Sequence, residues 1–350
     1  MREKVPLALI YLGRRGGGAK ITSQISQELK LSKRFELSTI CIRSDNELAD
    51  DYDQSKIVTL FDDLFSFRTL YKIFQYAVFP KKLLNDTKLN ANGFCLIPMI
   101  SPLGLIVEGL LKNQKVTTIR LLHDFKKHPG DKWPPNILIR NIVKNSKFLI
   151  TLSNEVATKL LMLNPKIKVS IYPHPPFEFR SSLKSMKPFP KYILFIGRIR
   201  KYKGVESLIS AFTQVRIKDL KLIIAGEGKL RIKKDPRIEI INRWLEEWEM
   251  TELIKNAEVV VFPYVEASQS GLLPYCLSER KKVVVTPLSG LLEQTSSHEN
   301  IFVTKDFKVQ ALAESLAIAV RAEKFSRKSK KFSMKNIEVC LLESGFFSKE

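Results

Sequence analysis

Short apolar runs recur along the chain and alternate with stretches whose apolar residues fall at helical spacing. A run of this kind followed by a helical pattern is typical of a parallel strand and its crossover helix. In the first half, strands are predicted at Leu7–Leu12, Leu37–Ile42, Ile57–Leu60, Phe94–Ile97, Thr117–Leu122 and Phe148–Leu152. In the second half, they are predicted at Tyr192–Ile196, Lys221–Ala225, Ile238–Ile241, Val259–Pro263 and Lys282–Thr286, with helices such as Gly204–Val215 and Val309–Val320. The pattern predicts an α/β chain built from two doubly wound, Rossmann-like units.

A polar, proline-rich segment between Tyr172 and Pro190 interrupts this alternation. The chain has 350 residues, more than a single core usually holds. We therefore predict an N-terminal domain over 1–183 and a C-terminal domain over 184–325. Residues 326–350 are predicted to form a basic C-terminal segment that packs back on the N-terminal domain, ending in one helix or strand.

Composition excludes several classes of protein. Hydrophobic residues make up 44% of the chain, which excludes a disordered or fibrous protein. The four cysteines are far apart and form no CxxC pair, which fits a reduced cytoplasm and argues against a zinc site or a disulfide framework. No stretch approaches the roughly 20 apolar residues that a membrane-spanning helix needs. The apolar run near the N-terminus predicts a first strand rather than a signal peptide, so we expect a cytoplasmic protein, soluble or peripheral at the inner face of the cell membrane.

The formal net charge is +22, which favours polyanionic surroundings. Nucleic acid, acidic lipid headgroups and phosphorylated substrates all satisfy this condition. Charge alone does not choose among them.

Candidate chemistry is concentrated in two loops that each follow an apolar strand. The first carries Gly197, Arg198 and Lys203. The second carries Glu266, then Ser268, Gln269, Ser270 and Gly271, which are small or polar and predicted to begin a helix, and then Leu272. Two cations, free N–H groups and a carboxylate are what a protein needs to hold a pyrophosphate and the hydroxyls of an attached sugar. The alternatives are solvated cations in a basic chain and a carboxylate that only caps a helix.

Five segments occur in an order and spacing that resemble the donor domain of a GT-B glycosyltransferase of the retaining family 4 type. They are Phe195-Ile-Gly-Arg-Ile…Lys203-Gly204, Leu222-Ile-Ile-Ala-Gly-Glu-Gly228, Ala257-Glu-Val-Val-Val-Phe-Pro263, Glu266…Gly271-Leu272 and Val283-Val-Val-Thr-Pro-Leu-Ser-Gly-Leu-Leu-Glu293. The first half resembles the same fold more loosely. The resemblance implies two Rossmann-like domains that face an interdomain cleft, with the donor held mainly by the C-terminal one.

The resemblance also implies roles for single residues. Arg198 and Lys203 would hold the donor diphosphate, and Glu266 would contact hydroxyls of the donor sugar. A second glutamate that binds the ribose in the family is absent, because position 274 is Pro274. Glu293 matches the glutamate of a Gly-Gly-x-x-Glu motif whose first glycine is serine here, and its expected role is loop ordering, with direct contact to the donor as the alternative.

Two features of the first half match the same family. Gly17 and Gly18 belong to a glycine loop that precedes a helix predicted to start near Ala19, and the resemblance places this loop near the donor phosphates. His123 ends a predicted strand, where it would contact a sugar hydroxyl or arrange the acceptor. A flexible turn and an ordinary core histidine are the alternatives.

The segment from Phe65 to Lys82 is dense in aromatic residues and also carries Arg68, Lys72 and Lys81. The ordinary interpretation is a helix that covers the sheet of the first domain. The alternative is a helix that lies against a membrane or receives a lipid-linked acceptor.

Together these features predict a retaining glycosyltransferase that moves a sugar from a nucleotide-diphosphate sugar to a hydroxyl of a glycan or lipid-linked acceptor. The expected setting is synthesis of a bacterial surface polysaccharide or lipopolysaccharide, at an anionic membrane surface. No cofactor and no metal are expected, because Arg198, Lys203 and helix N-termini supply the positive charge. There are two alternatives. One is a basic nucleic-acid-binding protein, although no nucleic-acid motif is present, and the other is a nucleotide-sugar binder without turnover. The sequence does not identify the base, sugar, acceptor or linkage.

Overall fold

The computed structural model of the protein describes residues 4–127, 129, 133–179, 184, 186, 189–230, 235–296, 298–323 and 335–347. Its strands are β1 (Val5–Ile10), β2 (Phe35–Arg43), β3 (Ile57–Phe61), β4 (Phe94–Ile97), β5 (Thr117–Leu122), β6 (Phe148–Thr151), β7 (Lys168–Ile171), β8 (Tyr192–Ile196), β9 (Lys221–Ala225), β10 (Ile238–Ile241), β11 (Val259–Phe262), β12 (Lys282–Val285) and β13 (Ile301–Val303). Its helices are α1 (Gly17–Leu31), α2 (Phe67–Val78), α3 (Pro80–Thr87), α4 (Pro102–Asn113), α5 (Asn136–Asn145), α6 (Asn154–Leu163), α7 (Val205–Gln214), α8 (Glu247–Asn256), α9 (Leu273–Ser278), α10 (Ser289–Thr295), α11 (Val309–Arg321) and α12 (Ile337–Leu342).

The described residues form two compact units. The first contains those of 4–127, 133–173 and 335–347, and the second contains those of 174–323 together with residue 129.

The sheet of the first unit has seven strands in the order β3-β2-β1-β4-β5-β6-β7, and every pairing is parallel. On one face, Ala8 and Ile10 of the central strand pack into a core with Tyr76, Leu83 and Val107 from the covering helices. Strand β7 was not predicted. It is a four-residue edge strand that carries a lysine and a serine, so it lacks the continuous apolar run of a central strand.

The sheet of the second unit has six strands in the order β10-β9-β8-β11-β12-β13, again all parallel. Its central strands β8 and β11 are buried at every position, which explains their unbroken apolar sequences. The edge strand β13 has only three residues, too few to give a pattern in the sequence.

Both sheets reverse their strand order at one point. Counted from its own first strand, each begins with the order 3-2-1-4-5-6, so the reversal lies between β1 and β4 in the first unit and between β8 and β11 in the second. The prediction of two doubly wound, Rossmann-like units is therefore confirmed. In such sheets, ligands bind beyond the carboxyl ends of the strands at this reversal point, which is where the two candidate loops of the second unit begin.

The C-terminal residues 335–347 belong to the first unit and include the short helix α12. The backbone N–H of Ile337 donates to Oε2 of Glu28 at 2.8 Å. The ring of Phe347 lies against those of Phe35 and Phe94, with centroid distances of 4.7 and 4.6 Å. Residues 326–334 and 348–350 of the predicted basic C-terminal segment lie outside the described residues.

Candidate functional site

The loop after β8 touches the loop after β9 through glycine backbone. Gly197 has a φ of +131°, and its N–H donates to the carbonyl of Ala225 at 2.9 Å. A Cβ atom on Gly226, whose φ is +142°, would lie 2.1 Å from the carbonyl oxygen of Gly197. Any side chain at 226 would therefore push the two loops apart.

The same loop is fixed against the loop after β11. Gly204 has a φ of +66°, and a Cβ atom there would lie 1.8 Å from the carbonyl oxygen of Pro263. The N–H of Val265 donates to the carbonyl of Tyr202 at 2.8 Å. The two loops that carry the predicted charges are thus held side by side at the reversal point of the sheet.

Lys203 is positioned by Tyr264. Its amino group donates to the Tyr264 hydroxyl oxygen at 2.8 Å and lies 4.4 Å from the centre of that ring. Burial raises the pKa of Tyr264 far above its usual value, so the phenol stays neutral. The Tyr264 hydroxyl also lies 3.3 Å from Oγ of Ser270, which connects the lysine to the second loop. The sequence reasoning missed Tyr264, although it is the one aromatic residue between Pro263 and Leu272.

Arg198 lies in the same loop as Lys203 and is exposed. Among the described residues, no hydrogen bond or ion pair involves its guanidinium group. Its donors are therefore available to an anion at the carboxyl end of β8. The neighbouring Gly197 leaves space here, since a Cβ atom at 197 would meet only the amino group of Lys203, at 3.6 Å.

The loop that follows β11 differs from its prediction in one respect. Helix α9 begins at Leu273, so the residues from Ser268 to Gly271 precede the helix and do not form its first turn. Their order comes instead from Gln294 of α10. Its Oε1 accepts from the N–H of Ser270 at 2.8 Å, and its Nε2 donates to the carbonyl of Ser270 at 3.0 Å. The Ser270 N–H is thus already used within the protein.

The remaining groups of this loop are a carboxylate and an amide. Glu266 is half-buried and lies between the exposed Val265 and the buried Ala267. Oε1 of Gln269 is buried and has no hydrogen-bond donor among the described residues. A buried acceptor of this kind is stabilised when a ligand supplies a hydroxyl or an N–H group.

Helix α10 contacts the loop closely through Gly290. A Cβ atom at this position would lie 2.0 Å from the carbonyl oxygen of Ser268. Glu293 is half-buried on the same helix, one residue before Gln294. The hydrogen bonds that order Ser270 come from Gln294, which the sequence reasoning did not single out, and a ligand contact for Glu293 stays a prediction.

Gly271 and Leu272 complete the loop. A Cβ atom on Gly271 would lie 3.0 Å from the ring of Phe177 and 3.2 Å from Nε2 of His174. Leu272 is partly buried and packs against the core of this unit. Pro274 is buried in the first turn of α9 and offers neither a donor nor a charge, so a ribose carboxylate is missing at this position.

The predicted residues of the first half lie in the first unit. Helix α1 begins at Gly17, two residues earlier than expected, so Gly17 and Gly18 form part of its first turn rather than of a loop. Gly17 is exposed. Gly18 is buried, and a Cβ atom on it would lie 2.5 Å from the sulfur of Met99, so its small size serves helix packing.

His123 lies at the carboxyl end of β5, with Nε2 at 2.9 Å from the carbonyl oxygen of Pro98. A carbonyl only accepts, so the ring carries its proton on Nε2 and leaves Nδ1 as an acceptor. Burial lowers the pKa of His123, and the nearby carboxylate of Asp124 opposes this only in part. The ring is therefore neutral near pH 7. In the part of the chain that the structure describes, no group of three His, Cys, Asp or Glu residues is placed to hold a metal ion.

The region that contains the loops after β8 and β11 is similar to a known protein family. Residues 190–321 match the family described as glycosyl transferases group 1. The chain is also 25% identical over 196 residues to a GDP-mannose:glycolipid 4-beta-D-mannosyltransferase of Xanthomonas campestris pv. campestris. That similarity covers 50% of this chain and 52% of the other, so the match spans about half the length of that enzyme.

Solved structures agree in fold. A glycosyltransferase from Rickettsia africae ESF-5 is similar with a TM-score of 0.63 and 13% identity, over 91% of this chain and 88% of that one. A structure of a UDP-N-acetylglucosamine 2-epimerase is similar with a TM-score of 0.54 and 12% identity, over 93% of this chain and 93% of that one. Because one structure is named a transferase and the other an epimerase, the fold by itself does not fix the reaction.

Proposed function

We propose that the protein is a glycosyltransferase that moves a sugar from a nucleotide-diphosphate sugar to an acceptor hydroxyl. One observation carries the proposal. At the reversal point of the second sheet, Tyr264 holds the amino group of Lys203, and the exposed Arg198 of the same loop has no hydrogen-bond or ion-pair partner among the described residues. This pair lies inside the region that matches the glycosyl transferases group 1.

The two cations would bind the diphosphate of the donor. When the bond between the sugar C1 and the phosphate oxygen breaks, negative charge grows on the leaving diphosphate, and the two cations stabilise that charge more than they stabilise the intact donor. The acceptor oxygen forms the new bond to C1, and its proton passes to an oxygen of the leaving phosphate. The chain needs no nucleophilic side chain of its own for this course.

Glu266 and Gln269 would orient the sugar. A carboxylate accepts hydrogen bonds from sugar hydroxyls, and the buried Oε1 of Gln269 would gain the donor that it lacks. Ribose recognition would differ from that of the family, since Pro274 supplies no carboxylate. We expect the base and ribose to add less to donor affinity than the diphosphate does.

Retention of the anomeric configuration stays a prediction. The Xanthomonas relative is named for a β-D-mannosyl product, so stereochemistry is best measured directly. Proton NMR of the product, compared with that of the donor, distinguishes retention from inversion. Turnover in the presence of EDTA tests the prediction that no metal is required.

The acceptor would be a glycan or a lipid-linked saccharide, at the inner face of a bacterial membrane. The relative from Xanthomonas acts, by its name, on a glycolipid. The net charge of +22 favours an anionic surface or a polyanionic glycan as the surroundings.

Two variants test donor binding. Thermal shifts against a panel of nucleotide diphosphates and their sugars should reveal the donor, which stabilises the protein by roughly 2–3 kcal/mol at 100 times its Kd. Arg198→Ala should lower the affinity for that donor by about tenfold or more, because the substitution removes a charged hydrogen-bonding group. Lys201→Ala is the control, since Lys201 is also exposed and belongs to the same loop. A flat response to every nucleotide, or an equal effect of both variants, would contradict the proposal.

A binder without turnover is the second candidate, because Pro274 replaces a carboxylate that the family uses. Release of free nucleotide diphosphate from the donor separates the two functions. An enzyme releases it by transfer or slow hydrolysis, whereas a pure binder returns the donor intact.

A further inference from the structure

Helix α2 has two apolar faces, and the fold uses only one of them. The inner face carries Thr69 and Tyr76, which are buried, and Ile73, which packs partly buried on the core of the first unit. The outer face follows helical spacing on the opposite side. Its residues are Phe67, Leu70, Tyr71, Phe74 and Val78, all of them exposed.

The inner face fixes the helix in place. The Ser66 hydroxyl caps the N–H of Thr69 at 3.1 Å, and the N–H of Asp62 donates to the Thr69 hydroxyl at 3.1 Å. The Tyr76 hydroxyl donates to Asp86 at 2.8 Å, and the Tyr76 ring meets the ring of Phe61 edge-on. The interpretation as a helix that covers the sheet is thus correct for this face, while the outer face stays exposed.

The exposed patch extends beyond both ends of the helix. Phe65 before it is 84% exposed and Phe79 after it is 62% exposed, comparable to Phe67 at 83% and Phe74 at 64%. Two of these phenylalanines lie on the helix and one lies beyond each end, and soluble proteins rarely leave so many large apolar side chains in water without a partner. We call the set Phe65, Phe67, Leu70, Tyr71, Phe74, Val78 and Phe79 the outer patch.

The charged side chains between Phe65 and Lys82 have one sign, and Asp63, which precedes them, lies 3.7 Å from a guanidinium nitrogen of Arg43. Residues 65–82 contain four basic residues and no acidic one. Arg68, Lys81 and Lys82 are exposed. Lys72 directs its amino group to the carbonyl of Leu60 at 3.0 Å and so belongs to the inner side. An aromatic patch with cations around it complements the surface of an anionic bilayer, where rings sit at headgroup depth and cations meet phosphates.

We propose that α2 docks the protein on an anionic lipid bilayer through the outer patch. The aromatic and aliphatic side chains enter the boundary between headgroups and acyl chains, and Arg68, Lys81 and Lys82 contact lipid phosphates. A second copy of this chain is a poorer occupant, because two chains of net charge +22 repel each other. This inference does not depend on the transferase proposal, since docking needs neither donor nor turnover.

Vesicle flotation tests the docking. The full chain should float with vesicles that contain phosphatidylglycerol and bind far more weakly to phosphatidylcholine alone. The double variant Leu70→Ser with Phe74→Ser should lose at least about tenfold in partitioning, because two apolar side chains no longer leave water. The matched control is Ile137→Ser with Met162→Ser, two residues of the same unit that are 75% and 77% exposed. Thermal melts should match, because none of these side chains supports the core.

A reporter on the helix supplies an independent measurement. In Phe74→Trp, the added tryptophan should shift its emission to the blue on anionic vesicles and be quenched by brominated lipids. No flotation with either vesicle, equal binding to both, or equal loss in the control variant would overturn the proposal. So would a concentration-dependent dimer that the Leu70→Ser, Phe74→Ser variant dissociates. Donor binding measured on the same samples stays intact if docking alone is wrong.

Discussion

The amino group of Lys203 lies 2.8 Å from the hydroxyl oxygen of Tyr264, which follows the neighbouring strand β11. This contact joins the loops at the two central strands of the second sheet. A lysine on a flexible stem would otherwise sample many directions and lose entropy on binding an anion. Tyr264 restricts that freedom before a ligand arrives.

Removing the Tyr264 hydroxyl should weaken binding of a nucleotide diphosphate. In Tyr264→Phe the ring remains but Lys203 loses its acceptor, so we expect a roughly three- to tenfold rise in Kd, in line with the loss of one hydrogen bond. Isothermal titration measures it. Tyr192→Phe is the control, because the Tyr192 hydroxyl donates to the carbonyl of Leu253 at 2.8 Å within the same unit and away from both loops. Equal weakening in both variants would show that Tyr264 acts only through stability.

Gly290→Ala should destabilise the protein, by roughly 1–3 kcal/mol, because the new methyl group would overlap the carbonyl of Ser268. Chemical denaturation measures the free energy of unfolding. Gly109→Ala is the opposite case, since Gly109 is exposed on helix α4 and a Cβ atom there would meet no described atom within 4 Å. That variant should gain up to about 1 kcal/mol from helix propensity. If both substitutions changed the free energy of unfolding in the same direction, the close approach at Gly290 would be contradicted.

Gln294→Ala should loosen the loop at Ser270, because it removes two hydrogen bonds to that backbone. We expect a loss of about 1–3 kcal/mol in the free energy of unfolding. The affinity for a nucleotide sugar should also fall more than that for the bare nucleotide diphosphate. Gln310→Ala on α11 is the control, since among the described residues the Gln310 side chain bonds to Glu314, which is exposed. If Gln294→Ala lowered the affinity for the bare nucleotide diphosphate more than that for the nucleotide sugar, Gln294 would not act on sugar binding.

Acid should destabilise the protein in part through His123. Because burial lowers the pKa of His123 from its usual 6.5, the unfolded chain binds more protons between that value and the folded pKa. Stability is therefore fully present above pH 6.5 and falls as the pH drops below it. Urea unfolding at pH 7.5 and pH 5.5 measures the difference.

His123→Gln should reduce that difference, because glutamine keeps an N–H donor for Pro98 without titrating in this range. Burial also lowers the pKa of His298, so His298→Gln should remove a separate part of the difference in stability between pH 7.5 and pH 5.5. If His123→Gln left the difference in stability between the two pH values unchanged, the imidazole of His123 would be as easily protonated in the folded chain as in the unfolded one.

The loops that follow β8 and β11 were predicted from local sequence. Strand β8 has the predicted bounds, and β11 ends one residue early, because continuous apolar runs mark central parallel strands. The start of α9 was placed too early, because the loop of small residues is ordered by Gln294 from 24 positions further along the chain. A bond over that distance leaves no periodicity in the sequence.

By itself, the sequence determined the alternation of strands and helices, the net charge and the positions of Arg198, Lys203 and Glu266, since burial and turn chemistry act over a few residues. Only the tertiary structure decided what surrounds them. It placed Tyr264 on Lys203, Gln294 on Ser270 and Gly290 against Ser268. It also decided that the aromatic residues of α2 lie on two faces, of which the first unit buries one and leaves the other exposed. Such relationships depend on which strands and helices become neighbours, and local sequence does not record that.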